Sequence, residues 1–291
     1  MRKYSTSLFL LTCFAVLVFL TLSAPKAVAE TDTLTTVDVP GAIETDCNAI
    51  NRQGAIAGFY IDSSGVNHGF TLTNGTFKII NVPHSTGTLA YGINDTRQVV
   101  GWFTDTQGLT HGFLLSAGQF SKIDYPGATF TNAWTINNAG TIVGTYIGTD
   151  GRFHGFIDKA GAFTSYDAPN GSVLTEILGD NNREQMVGIF FDSSSVQHGF
   201  QLSNGHFRQI DYPGSGVTAS DRINDSGEIV GLYGATSSGP FSGYTKVGTT
   251  FTSVTFPGST ETRVRGINNT GTIVGRYTDS GGVIHGFFGT P

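Results

Sequence analysis

Leu34-Thr35-Thr36-Val37-Asp38-Val39-Pro40-Gly41, near the start of the chain, matches Phe251-Thr252-Ser253-Val254-Thr255-Phe256-Pro257-Gly258, near its end, in pattern and in its Pro-Gly close. The alternating β-branched and polar residues read as a short strand ended by a proline, which donates no ladder hydrogen bond. The same strand therefore stands both before the first full unit and inside the last part of the chain. Three markers count the units between. Pro40, Pro83, Pro126, Pro169, Pro213 and Pro257 recur every 43 or 44 residues, as do Asn51, Asn94, Asn137, Asn181, Asn224 and Asn268. His-Gly-Phe begins at His68, His111, His154, His198 and His285, and Ser242-Gly243-Tyr244 stands in the fifth beat.

Each unit reads as four short strands. The first follows the proline, carries a threonine in every copy (Thr45, Thr88, Thr131, Thr175, Thr218 and Thr262) and ends at the marker Asn. The second alternates, as in Ile142, Gly144 and Tyr146, and its glycine leaves room for a neighbouring strand or ring. The third holds His-Gly-Phe, and the fourth runs to the next proline. Four strands in about 43 residues is the size of one propeller blade. Because the described pattern starts with a fourth strand and ends after a third, the expected fold is an all-β six-bladed propeller whose last blade is closed by the N-terminal strand. Closure removes the open edges that a linear array would expose; a β-solenoid or open array is the alternative.

The phrase Gly266-Ile267-Asn268-Asn269-Thr270-Gly271-Thr272-Ile273-Val274-Gly275, followed by Tyr277, Asp279 and His285-Gly286-Phe287, resembles the repeat of the HAF-repeat extracellular proteins. These are bacterial exported proteins named for a His-Ala-Phe motif. Gly stands here where that name has Ala, and the fifth copy has neither the His nor the Asp. The resemblance spans all six units. It implies export and a repeat architecture, and it brings no catalytic residues.

Arg2-Lys3, an apolar run from about Leu8 to Leu22 and Ala27-Val28-Ala29 read as a secretory leader over residues 1–29, with a single propeller domain over 30–291 and a secreted or periplasmic location. No later segment reads as a membrane span. The 291 residues include 40 glycines and only 13% charged residues, against roughly 25% in an average domain. Without Arg2, Lys3 and Lys26, 13 basic residues face 22 acidic ones, which argues against nucleic acid and anionic membranes as partners. Without Cys13 of the leader, Cys47 is alone, so no intrachain disulfide is expected. A monomer is expected.

The repeated histidines, one per blade, cannot converge on one ion and read as structural, as do Asp62, Asp105, Asp192 and Asp279 in the second turn. The Asn137-Asn138 and Asn268-Asn269 turns read as sites of positive φ.

Function is sought where the copies differ. The first strand of a blade lines the central channel. Four and two residues before the marker Asn, the side chains are mostly small, as Cys47, Ala90, Ala133 and Ser220, then Ala49, Gly92 and Gly266, and suit packing between blades. Five and three residues before it they vary: Asp46 and Asn48, Leu89 and Tyr91, Asn132 and Trp134, Glu176 and Leu178, Ala219 and Asp221, Arg263 and Arg265. By alternation these share a face. Asp46, Asn48, Tyr91, Asn132, Trp134, Glu176, Asp221, Arg263 and Arg265 are thus the candidate ligand-binding residues: an aromatic platform facing an arginine and carboxylate cluster, suited to a carbohydrate or small anion. The function favoured is a binding or surface-interaction module rather than an enzyme, with no cofactor. The alternative places calcium on Asp46, Asn132, Glu176 and Asp221 as the Lewis acid of a lactonase-like hydrolase or a lyase, against which the two arginines weigh.

Overall fold

The computed structural model describes residues 33–169 and 171–291; the leader expected over 1–29 lies outside them. The described chain is all β, with 24 strands in six blades of four. Inner strands Glu44–Ile50, Ser85–Ile93, Thr131–Ile136, Leu174–Asp180, Val217–Ile223 and Glu261–Ile267 begin the six blades. Each blade is an antiparallel meander, and the His-Gly-Phe segment is its third strand.

The sixth blade has only three strands of its own. Thr35–Val37 supplies the fourth, pairing antiparallel with Ile284–Gly289 in the register Thr35↔Phe288, Thr36↔Phe287 and Val37↔Gly286. The ring is therefore closed as the matching ends predict. Asp38 accepts from His285 at 3.0 Å, and the Thr36 and Tyr277 hydroxyls meet at 2.9 Å.

The repeated letters have repeated jobs. The Phe of each His-Gly-Phe, and Tyr244 in the fifth copy, is buried almost completely between neighbouring blades. It lies on the second-strand glycine: a methyl added to Gly144 would sit 2.4 Å from Phe156 and 2.0 Å from the Asn132 carbonyl. Each repeated Thr accepts, through its hydroxyl, the backbone N–H six or seven residues upstream, as Thr131 does from Tyr125 at 3.1 Å, and so pins the loop into the inner strand. The marker Asn residues form a closed belt around the axis. Each side-chain amide donates to the carbonyl of the next blade's Asn, ending with Asn268 to Asn51 at 3.2 Å. Their carbonyl oxygens accept two N–H groups of their own turn, as Asn51 does from Gln53 and Ala55. The positive φ falls elsewhere than expected. It is at the fourth turn residue (Gly54, Arg97, Gly140, Glu184, Gly227 and Gly271) and not at the Asn residues themselves.

Each repeated histidine lies over the second-strand aromatic ring, as Tyr146 and His154 do at 5.2 Å between centroids. Its two nitrogens meet the turn Asp and the second residue before the blade-end proline: Asp150 at 3.0 Å and Asp167 at 2.7 Å for His154. Burial alone would lower the His154 pKa, but the two carboxylates outweigh it and raise it. Asp62, Asp105, Asp150, Asp192 and Asp279 are all held below the ordinary aspartate range, mainly by hydrogen bonds from their own turn and from the histidine.

Candidate functional site

One irregularity recurs in all six inner strands. The pairing with the second strand skips one residue, always the third before the marker Asn: Asn48, Tyr91, Trp134, Leu178, Asp221 and Arg265. A bulge leaves this residue out of the ladder and re-aims its side chain. Six bulges side by side line the axis with six divergent side chains of the repeat.

These line a funnel-shaped cavity of about 330 Å³ together with Glu176, Arg222, Arg263, Ile189, Leu232 and Phe241. Ser237 and Ser238, in the second turn of blade five, stand at its rim, so the mouth lies at the ring face that carries those turns. Seven of the nine candidate residues line it: Asn48, Tyr91, Trp134, Glu176, Asp221, Arg263 and Arg265. Asp46 and Asn132 do not. The funnel is displaced toward blades four to six. Asp46 is covered because its pairing partner is the ring of Phe59 and its carboxylate turns to Arg276, 3.5 Å away. Leu89 is likewise buried opposite Trp102.

The second-strand residue after the glycine is the position that the alternation argument missed. It is Phe59, Trp102, Thr145, Ile189, Leu232 and Arg276 in the six copies, as divergent as the inner strand, and it pairs across from the fifth residue before the Asn. Large rings there fill the first half of the circle. Tyr91 lies 6.1 Å from Phe59, 6.4 Å from Trp102 and 4.6 Å, edge-on, from Trp134. Trp134 is fixed by donating its indole N–H to the Thr145 hydroxyl at 2.9 Å.

The charged half is tightly paired. Arg265 donates to Asp221 at 3.2 Å. Arg263 donates to Glu261 at 2.6 Å, and its guanidinium lies 4.6 Å over the Phe241 ring. Arg276 donates to Glu44 at 3.1 Å. Buried polar atoms without a hydrogen-bond partner gather here too: Asn48 Oδ1, Asp221 Oδ1 and the Nε atoms of Arg222 and Arg265. Burial and the Asp221 charge push the Glu176 carboxyl up to about 7. Among the described residues no three His, Cys, Asp or Glu side chains come together as a metal set. Of the three carboxylates in the calcium reading, Asp46 and Asp221 each face an arginine.

Arg222 breaks the small-residue pattern two before the Asn. Its guanidinium crosses the axis and donates to the carbonyls of Tyr91 and Trp134, both at 2.9 Å, of Asp221 at 2.8 Å, and of Leu178. These are four of the six bulge residues, from four blades. Arg222 thus floors the funnel and separates it from a smaller cavity of about 80 Å³ inside the Asn belt, where Asp180 replaces the isoleucine of every other copy. Asp180 is 7% exposed with both oxygens unpartnered, and burial raises its pKa well above the ordinary value.

The Glu176 shift sets a pH dependence. Between about 4.5 and 7 the folded protein keeps a proton that the unfolded chain releases, so stability falls as pH rises through that window. Glu176→Gln is expected to add about 2 kcal/mol at pH 8, after allowance for solvent screening, and nothing below pH 4. Urea denaturation at the two pH values measures it; equal gains at both would show the carboxyl to be unperturbed.

No protein-family model matches the chain, and neither does any curated protein. Solved structures do resemble it. A fucose-recognising lectin of Aleuria aurantia, a six-bladed β-propeller, aligns at TM-score 0.54 and 8% identity over 87% of this chain and 93% of that one. SapL1 lectin, solved with α-methyl fucoside, aligns at 0.55 and 9% over 85% and 95%. TolB of Acinetobacter baumannii aligns at 0.57 and 12% over 81% of this chain and 64% of that one. At these identities the likeness is one of fold.

Proposed function

We propose that the protein is a carbohydrate-binding module whose ligand enters the central funnel. The observation that carries the reading is the funnel itself: an aromatic wall of Tyr91 and Trp134 shares the cavity with convergent polar groups, several of them unpartnered. Aromatic faces pack against the C–H side of a sugar ring, while buried hydrogen-bonding atoms without partners await its hydroxyls. That two of the structural neighbours are lectins of fucose supports the same class. Exported placement rests on the leader-like residues 1–29 and on the resemblance to HAF-repeat proteins, and it fits a glycan ligand.

Of the two tryptophans of the chain, Trp134 lines the cavity and Trp102 lies 6.4 Å from Tyr91, so intrinsic fluorescence reads the site. Titration with a panel of monosaccharides, including α-methyl fucoside, is expected to give a saturable change. Trp134→Ala should weaken binding by about tenfold or more, the usual cost of losing a central aromatic anchor. A flat titration across the panel would sink the reading.

A further inference from the structure

We infer that the funnel selects an acidic sugar, a hexuronate or similar ring bearing a carboxylate, over its neutral counterpart. The inference rests on the carbohydrate reading and goes beyond it by naming the ligand's charge. Three guanidinium groups line the cavity, those of Arg222, Arg263 and Arg265, against two carboxyl groups, Glu176 and Asp221. Glu261, bonded to Arg263 just outside that lining, adds one negative charge, so the site carries a positive excess while Glu176 is protonated, in a chain of net charge −6. Such a concentration of positive charge in an acidic protein selects an anion.

The three arginines are not equivalent. Arg222 is committed to four carbonyls and forms the floor. Arg265 uses one terminal nitrogen on Asp221 and leaves its Nε unpartnered. Arg263 uses its Nε on Glu261 and lies over Phe241, which leaves its two terminal nitrogens for a ligand. A planar fork of this kind matches a carboxylate in two-point geometry. Trp134 and Tyr91 stand in the same cavity as a surface for the ring. Acid at one end and an apolar face at the other is the outline of a hexuronate.

Glu176 faces the same space. Around it are Asp221 and Arg222 from the inner strand of blade five, Arg263 and Arg265 from that of blade six, and Tyr91 from that of blade two; Trp134 of blade three and Ile189 of its own second strand add no charge. An anionic Glu176 repels a carboxylate ligand and a protonated one does not. Its carboxyl is held up to about 7 by burial and Asp221, so anion affinity falls as pH rises through that value.

Tryptophan fluorescence titrations with glucuronate and galacturonate, beside glucose and galactose, at pH 6 and pH 8.5 test this. The acids are expected to bind about tenfold more tightly than the neutral sugars at pH 6, and less so at pH 8.5. Arg263→Gln should bring the acids down to the neutral level. Glu176→Gln should restore the pH 6 preference at pH 8.5, which a merely structural role would not do. Equal affinities for acid and neutral sugars overturn the inference while leaving the carbohydrate reading intact. No binding of either overturns the inference, and the monosaccharide panel then decides the carbohydrate reading.

Discussion

A chain begun at Pro40 is expected to lose its cooperative fold or to melt at least 15 °C below one begun at Thr33. The shorter chain lacks the fourth strand of blade six. Val37 and Val39, 5% and 6% exposed, leave their places in the cluster with Cys47, Phe70 and Val274. Burying two valines contributes about 3–6 kcal/mol. The backbone pairing to Ile284–Gly289 and the Asp38–His285 bond go with them. A domain holds only about 5–15 kcal/mol in all, and for a chain of this size each kcal/mol moves Tm by about 2–4 °C. The loss also uncovers the edge of Ile284–Gly289, a template for another copy's strand. Calorimetry should show the drop, and size exclusion should show oligomers that a peptide of residues 33–40, added in trans, reverses. A truncated chain that melts as the reference does would mean that the ring is held by blade-to-blade packing alone and that the strand is an accessory.

The expectation could be drawn from the sequence because closure is written in letters: the same strand pattern stands at both ends, and a unit of four strands lacks its fourth. The Thr, Asn and His-Gly-Phe markers were legible for the same reason, since each copy solves the same local problem with the same residue. Parts of the site were not. A bulge costs one residue of register and leaves no characteristic letter, so alternation placed Asp46 and Asn132 beside the residues three before the Asn. The bulge actually separates the two positions, and second-strand rings such as Phe59 and Trp102 close over half of the circle. The signal that could have warned of this was present. The residue after the second-strand glycine runs Phe59, Trp102, Thr145, Ile189, Leu232, Arg276, too varied for a packing position repeated six times. Asp180 and Arg222 carried the same kind of signal, a charge where most other copies have an isoleucine or a small residue.

Arg222→Ala should cost about 3–5 kcal/mol, the range found when one partner of a buried charged network is removed. The reason lies in the bulges. A residue left out of the ladder keeps an unpaired carbonyl, and close to the axis there is no neighbouring strand to satisfy it. Arg222 answers four of the six at once, from blades two, three, four and five. Lysine cannot replace it, because a point charge on a flexible stem lacks the planar fork that reaches several acceptors. Arg222→Lys should therefore recover less than half of the loss. Burial pulls the Arg222 pKa down to about 10, so it stays charged at neutral pH, and its charge works against the burial that raises Asp180 and Asp221. Without it both carboxyls rise further. Folded-state pKa values above the unfolded ones make stability fall as pH rises past about 3.8, so the variant's deficit should be larger at pH 7 than at pH 3.5. Urea denaturation of the Ala and Lys variants at those two pH values separates the roles. A deficit under about 1 kcal/mol, equal at both, would mean that water satisfies the bulge carbonyls as well as Arg222 does. In that case the floor of the funnel would be a matter of shape, and its charge would belong entirely to Arg263 and Arg265.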